Sequence, residues 1–118
     1  MSNTLDPNDD AKRLALRKGE ATAKGGHAFL RLLQLTETSD SGQARRSSLF
    51  IAATYNGSAF PFNLYDLRTV DVAISDDMLL CLDAMRWGQS DLHNLMPDGD
   101  RRVKKLIELW GIRWPETR

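Results

Sequence analysis

The sequence predicts an all-α fold: a compact single-domain bundle of five to seven helices around a central buried helix at about residues 41–56. Three observations carry this expectation. Apolar residues recur at helical spacing, with no flanking runs that alternate as strands do. Candidate N-caps (Asp6, Asp40, Asn63, Ser75, Asp98) and glycine stops (Gly57, Gly88, Gly111) punctuate the chain at short intervals. Finally, residues 49–53 (Leu49, Phe50, Ile51, Ala52, Ala53) are apolar without interruption, which points the second half of one helix into protein on several sides.

Taken in order, residues 1–6 are expected to be disordered and 7–118 to form one helical domain. Asp6-Pro7 reads as a cap followed by Pro at the first helical position, with Asp9 and Asp10 in the first turn. Ala11, Leu14 and Ala15 give this helix a thin apolar stripe. Gly25-Gly26 is read as a break or hinge, after which Phe29, Leu30, Leu32, Leu33 and Leu35 form the face of a second helix. Asp40 and Gln43 fit a capping box at the start of the central helix, and Asn56-Gly57 a left-handed stop. Asn63 caps a short helix to about Val70, with Phe62 and Leu67 as a hydrophobic staple. Asp71–Ile74 reads as an extended link. Ser75 then caps a helix whose core side carries Met78, Leu79, Cys81, Leu82 and Met85, closed by Gly88. A short turn holds Leu92 and Met96. Asp98 caps the last helix, in which Val103, Leu106, Ile107 and Trp110 share one face; Gly111 ends it and Ile112 folds back.

The chain of 118 residues can build its own core without metals or disulfides. Its single cysteine, Cys81, suggests no oxidising compartment. Neither a spanning segment nor a secretory leader is evident, so the expected location is cytoplasmic, away from membranes. Lys plus Arg and Asp plus Glu both total 16, which argues against a generic polyanion binder. The charges are nevertheless segregated. Residues 66–100 are acidic (Asp66, Asp71, Asp76, Asp77, Asp83, Asp91, Asp98, Asp100), and the last helix is basic. Helix dipoles account for much of this, since they favour acids at starts and bases at ends.

No residue cluster compels a chemistry. His27 and His93 lie in different helices with no metal-ligand spacing, so neither a metal nor a cofactor is expected. Asp98-Gly99-Asp100 lacks the rest of a calcium loop, and Gly25-Gly26 lacks a phosphate-loop pattern. An enzyme would need an unrecognised site assembled in space, with His27 or His93 beside a carboxylate. For nucleic acid the candidates are Arg101, Arg102, Lys104 and Lys105, a basic ridge whose first turn carries the opposing Asp98 and Asp100. A helix-turn-helix at 76–87 and 91–96 is handicapped by its short second helix. Arg45 and Arg46, in the first turns of the central helix, are unfavourable with its dipole. They either form an internal ion pair, with Asp66, Asp71 or Asp83, or face a ligand; Arg68 raises the same question. Trp and Arg dominate protein-binding hot spots, so Arg86, Trp87, Arg113 and Trp114 are the candidate partner-binding residues.

The strings Asp40-Ser-Gly-Gln-Ala-Arg-Arg46, Tyr55-Asn-Gly57, Phe60-Pro-Phe-Asn-Leu-Tyr-Asp-Leu-Arg-Thr-Val-Asp71 and Trp110-Gly-Ile-Arg-Trp114 resemble an uncharacterised family of small all-helical proteobacterial proteins found on plasmids and integrative elements. The likeness covers roughly residues 26–114. It implies an accessory protein of a mobile element and carries no assigned activity, so no catalytic residue is transferred from it. The expected function is therefore that of a non-enzymatic module that binds a protein, either a host complex such as a defence complex or a second copy of itself. A small DNA-associated regulator is the alternative, and an enzyme with an unrecognised site the second alternative.

Overall fold

A computed structural model describes residues 7–115, so the expectation for residues 1–6 lies outside the described residues. They form α1 (Pro7–Thr38), α2 (Gly42–Tyr55), a first 3₁₀ turn (Leu64–Arg68), α3 (Val72–Trp87), a second 3₁₀ turn (Leu92–Leu95) and α4 (Gly99–Leu109), with no strand among them. The all-helical expectation stands at that level. The helices are fewer than expected because residues 7–38 make one helix and two segments close only a single 3₁₀ turn.

α1 is the main departure from the sequence reading. Pro7 and the acids of its first turn begin it as expected, but Gly25-Gly26 does not break it. A Cβ at position 25 would lie 2.3 Å from Ala84 Cβ and 2.9 Å from the Leu80 carbonyl oxygen of α3. At position 26 it would meet Leu95 of the second 3₁₀ turn at 3.4 Å. Gly25 thus lets α3 approach the backbone closely, whereas a side chain at 26 would make little more than an ordinary contact; tertiary packing overrides the glycines' poor helix propensity, about 1 kcal/mol each. α3 runs antiparallel to α1, since Arg31 pairs with Asp77 at 2.8 Å at one end and Arg17 stands 5.5 Å from the Trp87 ring at the other.

Residues 21–36 of α1 carry a buried stripe that includes Ala28, Phe29, Leu32, Leu33 and Thr36. α2, α3, α4 and the second 3₁₀ turn all pack on α1, so it is α1, not the predicted segment 41–56, that serves as the axis. α2 is one wall: Ala44, Phe50, Ile51 and Ala52 are buried, while Ala53 and Tyr55 reach the surface. Val103, Leu106 and Ile107 of α4 and Met78 and Cys81 of α3 complete the core.

The joints were partly anticipated. Ser41, not Asp40, caps α2, its hydroxyl accepting from the Ala44 amide at 3.1 Å. Gln43 reaches α3 instead of Asp40: its Oε1 accepts from the Asp71 amide at 2.6 Å and its Nε2 donates to the Asp71 carboxylate at 3.1 Å. That bond helps α3 start at Val72, so the expected link at 71–74 is helical and Ser75 lies inside the helix. α2 stops at Asn56 through its side chain, which accepts from the Ala59 amide, and Gly57 is not left-handed. Asn63 caps the first 3₁₀ turn as expected. Gly88 closes α3 at φ 66°. Asp98 precedes α4 in the left-handed region, at φ 57°, with its side chain making no cap bond. Gly99 is required there, because a Cβ would come within 1.7 Å of the His93 carbonyl oxygen. The end of α4 is a Schellman motif: Ile112 N–H donates to Ile107 O and Gly111 N–H to Glu108 O, both at 3.0 Å.

Candidate protein-docking groove

The helical repeat gives α3 two apolar sides. Met78, Cys81 and Ala84 face α1 and are buried. Leu79, Leu82 and Met85, each three residues on from the last, share a face turned a further 100°. Sequence reasoning assigned these three to the core side, but they are 54, 36 and 40% exposed. One apolar stripe on α3 suffices to pack against α1, and the second is left for the surface.

Leu82 and Met85 form one wall of a cleft of about 130 Å³ whose other walls are Phe50, Ala53 and Thr54 of α2 and Phe62, Leu64 and Leu67 around the first 3₁₀ turn. The predicted staple residues Phe62 and Leu67 both stand in it. Phe62 is held edge-on to Phe50, with ring centroids 5.3 Å apart. Leu64 in that wall is itself exposed, and Tyr65, Val72 and Leu79 add exposed apolar surface on the first 3₁₀ turn and α3. Thr54 and Met85 also border a second, polar cleft with Gly88, Ser90, Asp91 and Asn94. The two clefts adjoin at Thr54 and Met85, and the second carries the exposed residue Asp91 in its lining.

The predicted partner-binding residues do not meet in this groove. Arg86 and Arg17 both stand over the Trp87 ring, at 4.9 and 5.5 Å, where α3 ends against α1. Arg86 also donates to Asp83 at 2.6 Å, which holds that exposed carboxyl below its ordinary range. Trp114 is half exposed and lies edge-on to Phe60, and Arg113 beside it is exposed.

The basic residues of α4 are largely neutralised. Arg101 pairs with Asp98 at 3.2 Å, Arg102 with Glu37 of α1 at 2.6 Å, and Lys104 with Asp100 at 3.0 Å. Lys105 is the member for which no ion pair is seen among the described residues. Asp100 also accepts from the Tyr55 hydroxyl at 2.5 Å, which pulls the carboxyl pKa down and pushes the phenol up. A tyrosine shifted upward is poorly suited to act as a base near neutrality.

Arg45, Arg46 and Arg68 do not form the expected internal ion pair. Arg45 Nη1 donates to the Trp110 carbonyl at 2.6 Å, satisfying the end of α4. Arg68 stands 4.8 Å over the Tyr65 ring, and Asp66 contributes its backbone carbonyl to Thr69. No ion pair is seen for Arg46 among the described residues. The cause is topological: α2 begins beside the end of α4, which offers a carbonyl rather than a carboxylate.

His27 is exposed in a shallow cleft whose lining includes Gly26, Leu30 and Leu95 but no carboxylate. His93 lies edge-on to Tyr55 at 4.9 Å. Burial pushes the Cys81 thiol up to about 12, so it is a packed thiol rather than a nucleophile. Among the described residues no three His, Cys, Asp or Glu side chains cluster to hold a metal, and no helix is long and apolar enough to cross a membrane.

Residues 26–111 match a family of unknown function, DUF7673, and the chain belongs to that family. Comparison with curated proteins and with solved structures finds no match. The matched region begins at the Gly25-Gly26 crossing and ends with the Schellman glycine. It contains the groove and excludes the first half of α1.

Proposed function

We propose that this family member is a non-enzymatic protein-binding module whose docking surface is the groove between α2, the first 3₁₀ turn and α3. The observation that carries the proposal is the second apolar side of α3: Leu79, Leu82 and Met85 stand exposed, and the last two line a cleft with Phe50 and Phe62. Exposed apolar surface organised around a cleft marks interaction sites, and an apolar groove of this kind suits the apolar face of an amphipathic helix. Asp91 in the adjoining polar cleft favours a partner helix that carries Lys or Arg beside its apolar anchor. The resemblance to plasmid- and element-borne proteins supports a setting: an accessory protein acting in the cytoplasm on a host complex, including a defence complex that it inhibits.

The DNA-associated reading through Arg101, Arg102, Lys104 and Lys105 is the lesser one, because most of that charge is already paired. For the enzyme reading, His27 lines a cleft without a carboxylate, and His93 stands against the Tyr55 ring near Asp100. The proposal is tested by selecting helical peptides from a random library on the immobilised protein. Selected peptides should share one or two bulky apolar anchors beside a basic residue, and Leu82→Glu should weaken them at least tenfold while leaving the far-UV spectrum unchanged. Peptides that bind Leu82→Glu as tightly as the parent would place the docking surface elsewhere.

A further inference from the structure

The first half of α1 projects past the bundle, which begins at Arg17 beside Trp87. Asp9 through Arg17 are exposed, on a molecule 61 Å long and only 33 and 27 Å across. A helix of this length is marginal in water without tertiary support. Yet the arm is not uniformly polar. Ala11, Leu14 and Ala15 continue, at helical spacing, the stripe that further on packs against α3 through Ala21, Gly25 and Ala28. Leu14 is 53% exposed only because α3 stops at Trp87 and leaves that stripe uncovered.

We infer that the uncovered stripe is the seam of a homodimer, in which the arms of two copies pair antiparallel about Leu14. Charge selects both the partner and its direction. Beside the stripe, Asp10 stands at one end of the arm and Arg17 and Lys18 at the other, while Asp9 lies on the Leu16 side. An antiparallel second copy sets acids against bases at both ends, whereas a parallel one sets like against like. The second arm also runs in the direction of α3, so it extends the cover that α3 gives to α1. Its acidic first turn then arrives at Arg17 and Arg86, the two guanidiniums stacked on Trp87. The same patch serves both copies, so the assembly closes as a two-fold dimer. The seam is short, about 12 residues or ~18 Å of helix. It falls below the ~1,200 Å² of most stable complexes, so the dissociation constant belongs in the micromolar range.

Sedimentation equilibrium of the full chain between ~1 and ~300 µM, a span bracketing such an affinity, tests the inference. The weight-average mass should rise from monomer towards twice that value. Leu14→Glu should weaken association at least tenfold, while Leu16→Glu, on the opposite side of the arm, should leave it unchanged. Asp10→Lys and Lys18→Glu should each weaken it, and the two together should restore it. A monomer throughout, equal effects at Leu14 and Leu16, or no restoration by the double exchange would each overturn the inference. Loss of the dimer on Leu82→Glu alone would move the seam to the groove and overturn it as well.

Discussion

Replacing Gly25 by alanine tests the packing of α1 on α3, and Gly19→Ala is its internal control. Both substitutions lie in one helix and should gain about 1 kcal/mol from helix propensity. At Gly19 a Cβ meets nothing within 4 Å, so that gain should appear almost whole. At Gly25 the new Cβ would stand 2.3 Å from Ala84 Cβ, over 1 Å inside the ~3.5 Å of a normal carbon contact. The Leu80 carbonyl oxygen at 2.9 Å blocks escape towards the backbone of α3, so the helices must separate. Overpacking of this kind costs about 1–3 kcal/mol. Net destabilisation of about 1 kcal/mol is expected for Gly25→Ala, which leaves the two variants about 2 kcal/mol apart. Urea unfolding followed by far-UV circular dichroism measures both. Gly25→Ala combined with Ala84→Gly should recover part of the loss. If Gly25→Ala stabilises as much as Gly19→Ala, the helices do not cross there and the hinge reading of Gly25-Gly26 regains its place.

Gln43→Ala should cost about 1–2 kcal/mol, because it removes both bonds to Asp71 and leaves the start of α3 without its neighbour's acceptor. Ser41→Ala should cost about 1 kcal/mol as a lost N-cap, and Asp40→Ala close to nothing; chemical denaturation of the three variants checks the order. The buried Cys81 thiol should react with a thiol reagent at pH 8 far more slowly in the folded protein than in denaturant, which absorbance of the released chromophore follows. Its folded pKa, about 12, lies above the unfolded value near 9. The unfolded chain therefore releases its proton first, and the stability due to this group is full below pH 9 and lost as pH rises towards 12. Cys81→Ala should remove that share of the alkaline loss in pH-dependent unfolding curves.

Much of the fold was legible in the chain because its signals are local. The Asn63 cap, the left-handed Gly88 and the Gly111–Ile112 reversal each need only a few neighbouring residues, and each is where local chemistry places it. The misread features depend on what lies opposite. Gly25-Gly26 resembles a break until Ala84 and the Leu80 carbonyl occupy the space that a side chain at 25 would have filled. Asp40 and Gln43 form a plausible capping box until Asp71 offers Gln43 a better partner. The apolar stripes of α3 are equivalent in sequence, and only the single-sided approach of α1 decides that Met78 is inside and Leu79 outside. That choice created the groove, which is why periodicity found its residues but assigned them to the core. Arg45 was recognised as needing a partner, yet a backbone carbonyl at the end of α4 leaves no mark in a sequence.

Amide hydrogen exchange of the protein with and without a bound partner tests the assignment of the docking surface most directly. New protection should concentrate in Leu64–Leu67 and Leu79–Met85, the segments that line or flank the groove, with α4 little changed. Protection confined to Arg101–Lys105, with residues 64–85 exchanging as in the free protein, would contradict it and return the basic helix as the working surface.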